Sequence, residues 1–256
     1  MPLGNNLPLS SVPGFQWTGD TPLLPFDLPL VGHMGMLGSL HADTLFLSWA
    51  CMAGILGAAL LIRPMLVSNG PGNAVQAVAE NLYEFTAGIA KEQIHGPWKK
   101  FFPLIAAIFI FVLIANFSGI LPWQWVAEHV PNWPKEDGKL FEMAAPSTDF
   151  NVTFGLALVA LLTYLGSGFW AHGGKYIKAY LNPIEWMDLI IRPATLGIRL
   201  MMVITADEIL RGAAIGLVPV IVPTGVMGFE MFIALIQAFV FALLTAIYIG
   251  LTVAHH

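Results

Sequence analysis

Charge is scarce in this chain. Only 11% of its 256 residues are Asp, Glu, Lys or Arg, whereas 57% are hydrophobic and mean hydropathy is +0.73. Soluble domains carry roughly 25% charged residues, so an ordinary soluble fold is excluded and the chain belongs in a bilayer. Basic residues are the scarcer sign, 11 Lys and Arg against 16 Asp and Glu. That excludes a nucleic-acid binder, which needs a clustered basic face to neutralise phosphates. The single cysteine, Cys51, excludes an internal disulfide, a thiolate zinc site and an iron–sulfur cluster. It lies in an apolar run, where a thiol packs as a small hydrophobe. A phosphate-binding loop is also missing: Gly173-Gly174-Lys175 is followed by Tyr176 and lacks both the earlier glycine and the Ser/Thr such a loop requires. No cofactor, no metal and no nucleotide site are expected on this chain.

What is present is long apolar runs. A spanning helix needs about 20 mostly apolar residues, because ~30 Å of hydrocarbon is crossed at ~1.5 Å per residue. About five segments qualify: Thr44–Ile62, Phe101–Leu121, Asn151–Ala171, Leu189–Leu217 and Val226–Ala254. The last two are long enough to tilt. Arg63-Pro64 ends the first, Pro122-Trp123 the second and His172-Gly173-Gly174-Lys175 the third. The expected fold is an all-α integral membrane protein whose last two helices form a long antiparallel hairpin. Residues 44–256 make the polytopic domain. Residues 1–43 contain no Lys or Arg and read as an external arm, irregular because of their Pro and Gly.

Orientation follows from the lysines and arginines flanking the spans. Arg63, Lys91, Lys99 and Lys100 follow the first span, and Lys175 and Lys178 follow the third; the loop after the second holds only Lys135 and Lys139. The N-terminus is therefore expected outside, and His255 and His256 on the cytoplasmic side of a bacterial plasma membrane. In the first inner loop, Val75, Val78, Leu82, Phe85 and Ile89 recur at helical spacing among Glu80, Glu84 and Glu92. That pattern predicts an amphipathic surface helix over 74–94.

Several charges fall inside the spans: Arg199, Asp207, Glu208 and Arg211 in the fourth, with Glu230 and Gln237 in the fifth. An ionised residue at the bilayer centre costs ~2.5–3.5 kcal/mol on insertion scales, so each calls for a partner, a cavity or a pathway. Asp207 and Arg211 have the spacing of an intrahelical ion pair. Arg199 has no acid three or four residues away on its own helix, and its guanidinium stays charged. In an antiparallel hairpin turning near residues 218–219, interrupted by Pro219 and Pro223, Arg199 meets the depth of Gln237 and Glu208 that of Glu230. The Arg199/Gln237 layer is deeper and the Glu208/Glu230 layer nearer the outside. Two carboxylates at one depth repel when both are ionised, so one holds a proton and the pair can pass it. Gly212-x-x-x-Gly216 is a small-xxx-small pattern that also allows the fourth span to be an assembly surface.

These residues, in this order, resemble the a subunit of rotary F-type ATP synthases, the membrane stator beside a ring of c subunits. His41-Ala42-Asp43-Thr44-Leu45-Phe46 is similar to the start of that family's first span, and Asn116-Phe117-Ser118-Gly119-Ile120-Leu121-Pro122 to the end of its second. Ala145-Pro146-Ser147-Thr148-Asp149-Phe150-Asn151-Val152-Thr153 is similar to its polar lead-in to the third. Arg199-Leu200 with Ala206-Asp207-Glu208 resembles its essential-arginine helix, in the manner of cyanobacterial and chloroplast members. Ile236-Gln237-Ala238-Phe239-Val240-Phe241 through Tyr248-Ile249 resembles its final helix. One departure stands out: the family's asparagine one turn after the arginine is Val203 here, which removes an amide from the pathway, and Thr205 offers a nearby hydroxyl.

The resemblance implies that protons enter an outer half-channel, load a ring carboxylate, travel with the ring and leave by an inner half-channel. Arg199 is then the separator of the half-channels, and Glu208, Glu230, Gln237 and Asp207 belong to the proton path. Asp149 and Asn151 either line its entrance or, as an Asp before a helix, cap it; capping is favoured. The implied partners are the c-subunit ring, b-type peripheral stalk subunits and membrane lipid. Two other classes compete. A proton-coupled secondary transporter calls for internal repeats and broken helices around a midplane site, which the chain lacks. A structural assembly subunit has no use for Arg199.

Overall fold

The computed structural model describes residues 42–67, 72–121, 129, 135–136, 139–140, 145–173, 183–217 and 221–254, the side chains of 42–43, 135–136, 139–140, 150, 172, 183–186, 188–190, 208, 211–217, 221–224 and 254 lying outside that description. The N-terminal arm, Lys175, Lys178, His255 and His256 also lie outside the described residues. Among the described residues six α-helices carry the fold: α1 (Ala42–Ile62), α2 (Ala74–Gln93), α3 (Trp98–Ile120), α4 (Phe150–His172), α5 (Pro183–Leu217) and α6 (Ile221–Ala254). Two 3₁₀ turns, Arg63–Met65 and Pro146–Thr148, close α1 and lead into α4. The one departure from an all-helical chain among the described residues is a two-residue antiparallel ladder between β1 (Lys135–Glu136) and β2 (Lys139–Leu140).

Four stretches among the described residues are long and apolar enough to cross a membrane: Thr44–Met65, Trp98–Ile120, Asn151–Ala171 and Gly225–Val253. The chain is an all-α integral membrane protein. Helix α5, with 35 residues, is longer than any of these. Pro223 does not interrupt α6, contrary to the expectation above. It falls in the first turn, where the missing N–H has no helical partner to lose.

Helix α6 is the axis of the packing, touching α3 most extensively, then α5, α4 and α2. The reason is compositional. Ala234, Ala238, Ala242 and Ala246 recur every fourth residue and are almost wholly buried, giving a smooth stripe against which neighbouring backbones approach closely. In lipid, where apolar burial supplies little drive, such small-residue contact is what holds helices together. Gly250 continues the stripe: a Cβ there would collide with the backbone carbonyl of Gln93 at the end of α2. Phe109 and Val112 of α3, Leu196 and Leu200 of α5 and Phe241 and Ile249 of α6 fill the space between.

Helix α2 buries Ile89, Ala90 and Thr86 and sets Phe85 against Phe109 and Phe239, with ring centroids 5.4 and 5.7 Å apart. Its first turns leave Val75 and Val78 exposed, so only the C-terminal half of the expected apolar stripe is covered by the chain itself. Helix α1 is the most peripheral, with Phe46, Trp49, Leu56 and Leu60 exposed.

Candidate functional site

Three residues separate α5 from α6, and so short a connection between packed helices makes them antiparallel neighbours. On α5 the buried side runs through Leu196, Leu200, Ile204 and Asp207; on α6 it runs through Glu230, Ala234, Gln237, Ala238 and Phe241. Both follow the three-and-four spacing of a single helical face. Where the two faces meet α3 lies a small cavity lined by Asn116, Gly119, Ile120, Ile204, Asp207, Glu230 and Ala234. Two carboxyl groups therefore share one enclosed space. Glu230 is 1% exposed and Asp207 8%.

The walls are polar where the chemistry is. Asn116 donates from Nδ2 to the carbonyl of Ala234 at 3.5 Å, while its Oδ1 is buried without a partner. The Nε2 of Gln237, one turn further along α6, is likewise buried and unpartnered among the described residues. An amide left unsatisfied costs roughly 1–3 kcal/mol. Such groups persist where a water or a transient proton carrier supplies the missing bond. The arrangement sets two acids in one cavity beside amides that can hydrogen-bond and orient water.

The Glu208/Glu230 pairing expected from sequence rests on a side chain outside the described residues. Beside Glu230 in this cavity is Asp207, which falls on the buried face set by Leu196, Leu200 and Ile204; the side chain of Glu208 lies outside the described residues, as does that of Arg211. Matching by depth alone does not choose between adjacent residues, which differ by ~100° in direction.

Arg199 does not join this cavity. It is exposed, on the side of α5 that also exposes Ile198 and Met202. Among the described residues it has no ion-pair partner. Gln237 is buried, whereas Arg199 is exposed.

Asp149 caps α4. Its Oδ1 accepts from the backbone N–H of Asn151 at 2.8 Å and from Asn151 Nδ2 at 3.1 Å, while Oδ2 accepts from the Thr44 hydroxyl at 2.7 Å. The capping reading describes this geometry, and the carboxylate also ties α1 to α4. Neither the Thr44 contact nor the place of Asn116 at the cavity was anticipated as a site feature. An asparagine in an otherwise apolar span was the available signal for the second; nothing local signalled the first, which links residues over a hundred positions apart.

The family described as ATP synthase A chain matches residues 45–250. The chain is 35% identical over 224 residues to ATP synthase subunit a, chloroplastic, of Stigeoclonium helveticum, covering 84% of this chain and 86% of that protein. It is 34% identical over 225 residues to the protein of the same description from Oedogonium cardiacum, covering 85% of this chain and 84% of the relative.

Proposed function

The chain belongs to the ATP synthase A chain family, and on that premise we propose how its charged helices do the work. It is the half-channel stator subunit of an F-type ATP synthase, an integral protein of an energy-transducing membrane. Family membership places it in the membrane sector with a c ring and a stalk. Our reading is that α5 also crosses the membrane, as the fourth of five crossings, and that the N-terminus is outside. With a bacterial plasma membrane as host, the C-terminus is then cytoplasmic. The distribution of Lys and Arg supports this orientation. A cysteine replacing His256, in a background lacking Cys51, should react with an impermeant reagent only from the inside; reaction from outside would reverse the orientation.

Protons arriving from outside meet the Asp207–Glu230–Asn116 cavity first. Two carboxyl groups lining one cavity offer a donor and an acceptor between which a proton can be passed. Gln237 is the next polar group inward, and its free amide N–H can order a water between the cavity and the depth of Arg199. Glu208 remains part of the proposed path as its outer neighbour. Asp149 and Asn151 serve by fixing α4 against α1, with the entrance role secondary.

Arg199 acts on the partner. A ring carboxylate that has released its proton is drawn to the guanidinium in a low-dielectric interface, where Coulomb energies are several-fold larger than in water. A protonated ring carboxyl gains no such attraction, so no proton is carried directly past the arginine. Lysine cannot replace this fully, since it lacks the planar fork and its charge is lost more readily on desolvation. The observation that carries the reading is a permanent cation, exposed on an apolar face of the same long helix that carries Asp207 into the cavity with Glu230. Arg199→Ala should abolish ATP-driven pumping and proton-driven synthesis while the subunit still inserts, and should let protons leak through the membrane sector. Arg199→Lys should remain severely impaired. Near-normal coupled pumping in Arg199→Ala vesicles would end this reading in favour of a transporter or an assembly subunit.

A further inference from the structure

A second arginine on α5 is held in a way the half-channel reading does not use. The guanidinium carbon of Arg192 lies 5.3 Å from the ring centroid of Tyr164 on α4 and 5.2 Å from that of Tyr248 on α6. Both distances are within the ~6 Å over which a cation is attracted to an aromatic face. Tyr164 is buried, and Arg192 and Tyr248 are half-buried. One side chain therefore ties three helices together, at the level where the Ser167 and Thr252 hydroxyls bond α4 to α6 at 2.8 Å.

The position of this contact on α5 matters. The next residue is Pro193, inside the helix and buried. A helix-interior proline removes the hydrogen bond to the carbonyl four residues earlier and loosens the helix at that point. Arg199 follows seven residues after Arg192, two turns along and on nearly the same side. Its direction toward the ring thus depends on a segment whose own hydrogen-bond ladder is interrupted just before it. We propose that Arg192 is a positioning residue: clasped between Tyr164 and Tyr248, it fixes the rotation of α5 at the proline and thereby the direction in which Arg199 faces the ring. This rests on the separator role of Arg199 described above.

The test uses assembled membrane sectors in vesicles, reading ATP-driven pumping, passive proton leak and the amount of subunit assembled. Arg192→Lys keeps a cation, whereas Arg192→Met keeps a stem of similar bulk without charge. Coupled pumping should fall on the order of tenfold in Arg192→Met and severalfold less in Arg192→Lys, with leak rising as pumping falls. Tyr164→Phe and Tyr248→Phe retain the ring face and should keep most of their pumping; Tyr164→Leu and Tyr248→Leu should lose it severalfold. Combining Tyr248→Leu with Arg192→Met should add little, because both remove one interaction. Equal activity of Arg192→Met and Arg192→Lys, or of the Leu and Phe variants, would overturn the proposal. Should Arg192→Met fail to assemble, the tyrosine variants, which leave the arginine in place, decide the matter. If Arg199→Ala pumps normally, the separator reading itself fails; if Arg199→Ala is dead while every Arg192 and tyrosine variant pumps normally, only the positioning role fails.

Discussion

Asp207 and Arg199 lie on one helix, about 12 Å apart in rise and ~80° in direction, yet the chain encloses one and leaves the other open. Asp207 shares a small cavity with Glu230 and Asn116, lined among the described residues by α3, α5 and α6. Arg199 is exposed among apolar side chains with no ion-pair partner among the described residues. On the proposed reading, the acids pass protons within the subunit, whereas the arginine acts on a carboxylate carried by another chain. An uncompensated charge at membrane depth costs ~2.5–3.5 kcal/mol, and that cost is what a passing ring carboxylate relieves.

This contrast orders the expected effects. The largest belongs to Arg199→Ala, where coupling disappears rather than weakens. Substitutions in the cavity should slow flow without uncoupling it. Glu230→Gln should reduce proton flux by about tenfold to a hundredfold, the range of a lost proton-transfer group, and Asp207→Asn by somewhat less. The double variant should be no slower than the worse single one, because the two acids share a path. Fully additive losses in proton-flux assays would show two separate routes. Glu208→Gln, measured alongside, would sharpen the comparison: a loss equal to that of Asp207→Asn assigns both acids to the path.

The smallest effect is expected at Asn116. Asn116→Leu removes an amide from the cavity wall but leaves both acids, so flux should fall only severalfold, with assembly intact. A loss as large as that of Glu230→Gln would make the asparagine an equal member of the relay.

Much of this was legible in the sequence because bilayers enforce simple rules. Length and apolarity alone located Trp98–Ile120, Phe150–His172 and Ile221–Ala254 to within a few residues, since every backbone group in lipid must bond within its own helix. The odd charges stood out for the same reason. Direction around the helix was harder. Asp207 and Glu208 are adjacent in the apolar run, and only the packing of Leu196, Leu200 and Ile204 decides which surface of α5 is inward. The alanine stripe of α6 escaped notice because alanine is ordinary in any apolar span and becomes an interface only when a neighbour lies on it. Arg192 was lost in a boundary region between charged loop and span, and its two tyrosines come from helices distant in the chain. Hydrogen bonds such as Thr44 to Asp149 belong to tertiary structure and leave no periodic trace.

The central claim is that the enclosed acids feed the open arginine, and it is tested most directly by passive proton flux through vesicles carrying the membrane sector. Arg199→Ala alone should leak. Adding Glu230→Gln to Arg199→Ala should bring the leak down by about the same factor that Glu230→Gln imposes on coupled flux, because the leak enters through the same cavity. A leak unchanged by Glu230→Gln would contradict the account, showing that protons reach the arginine's position by another way.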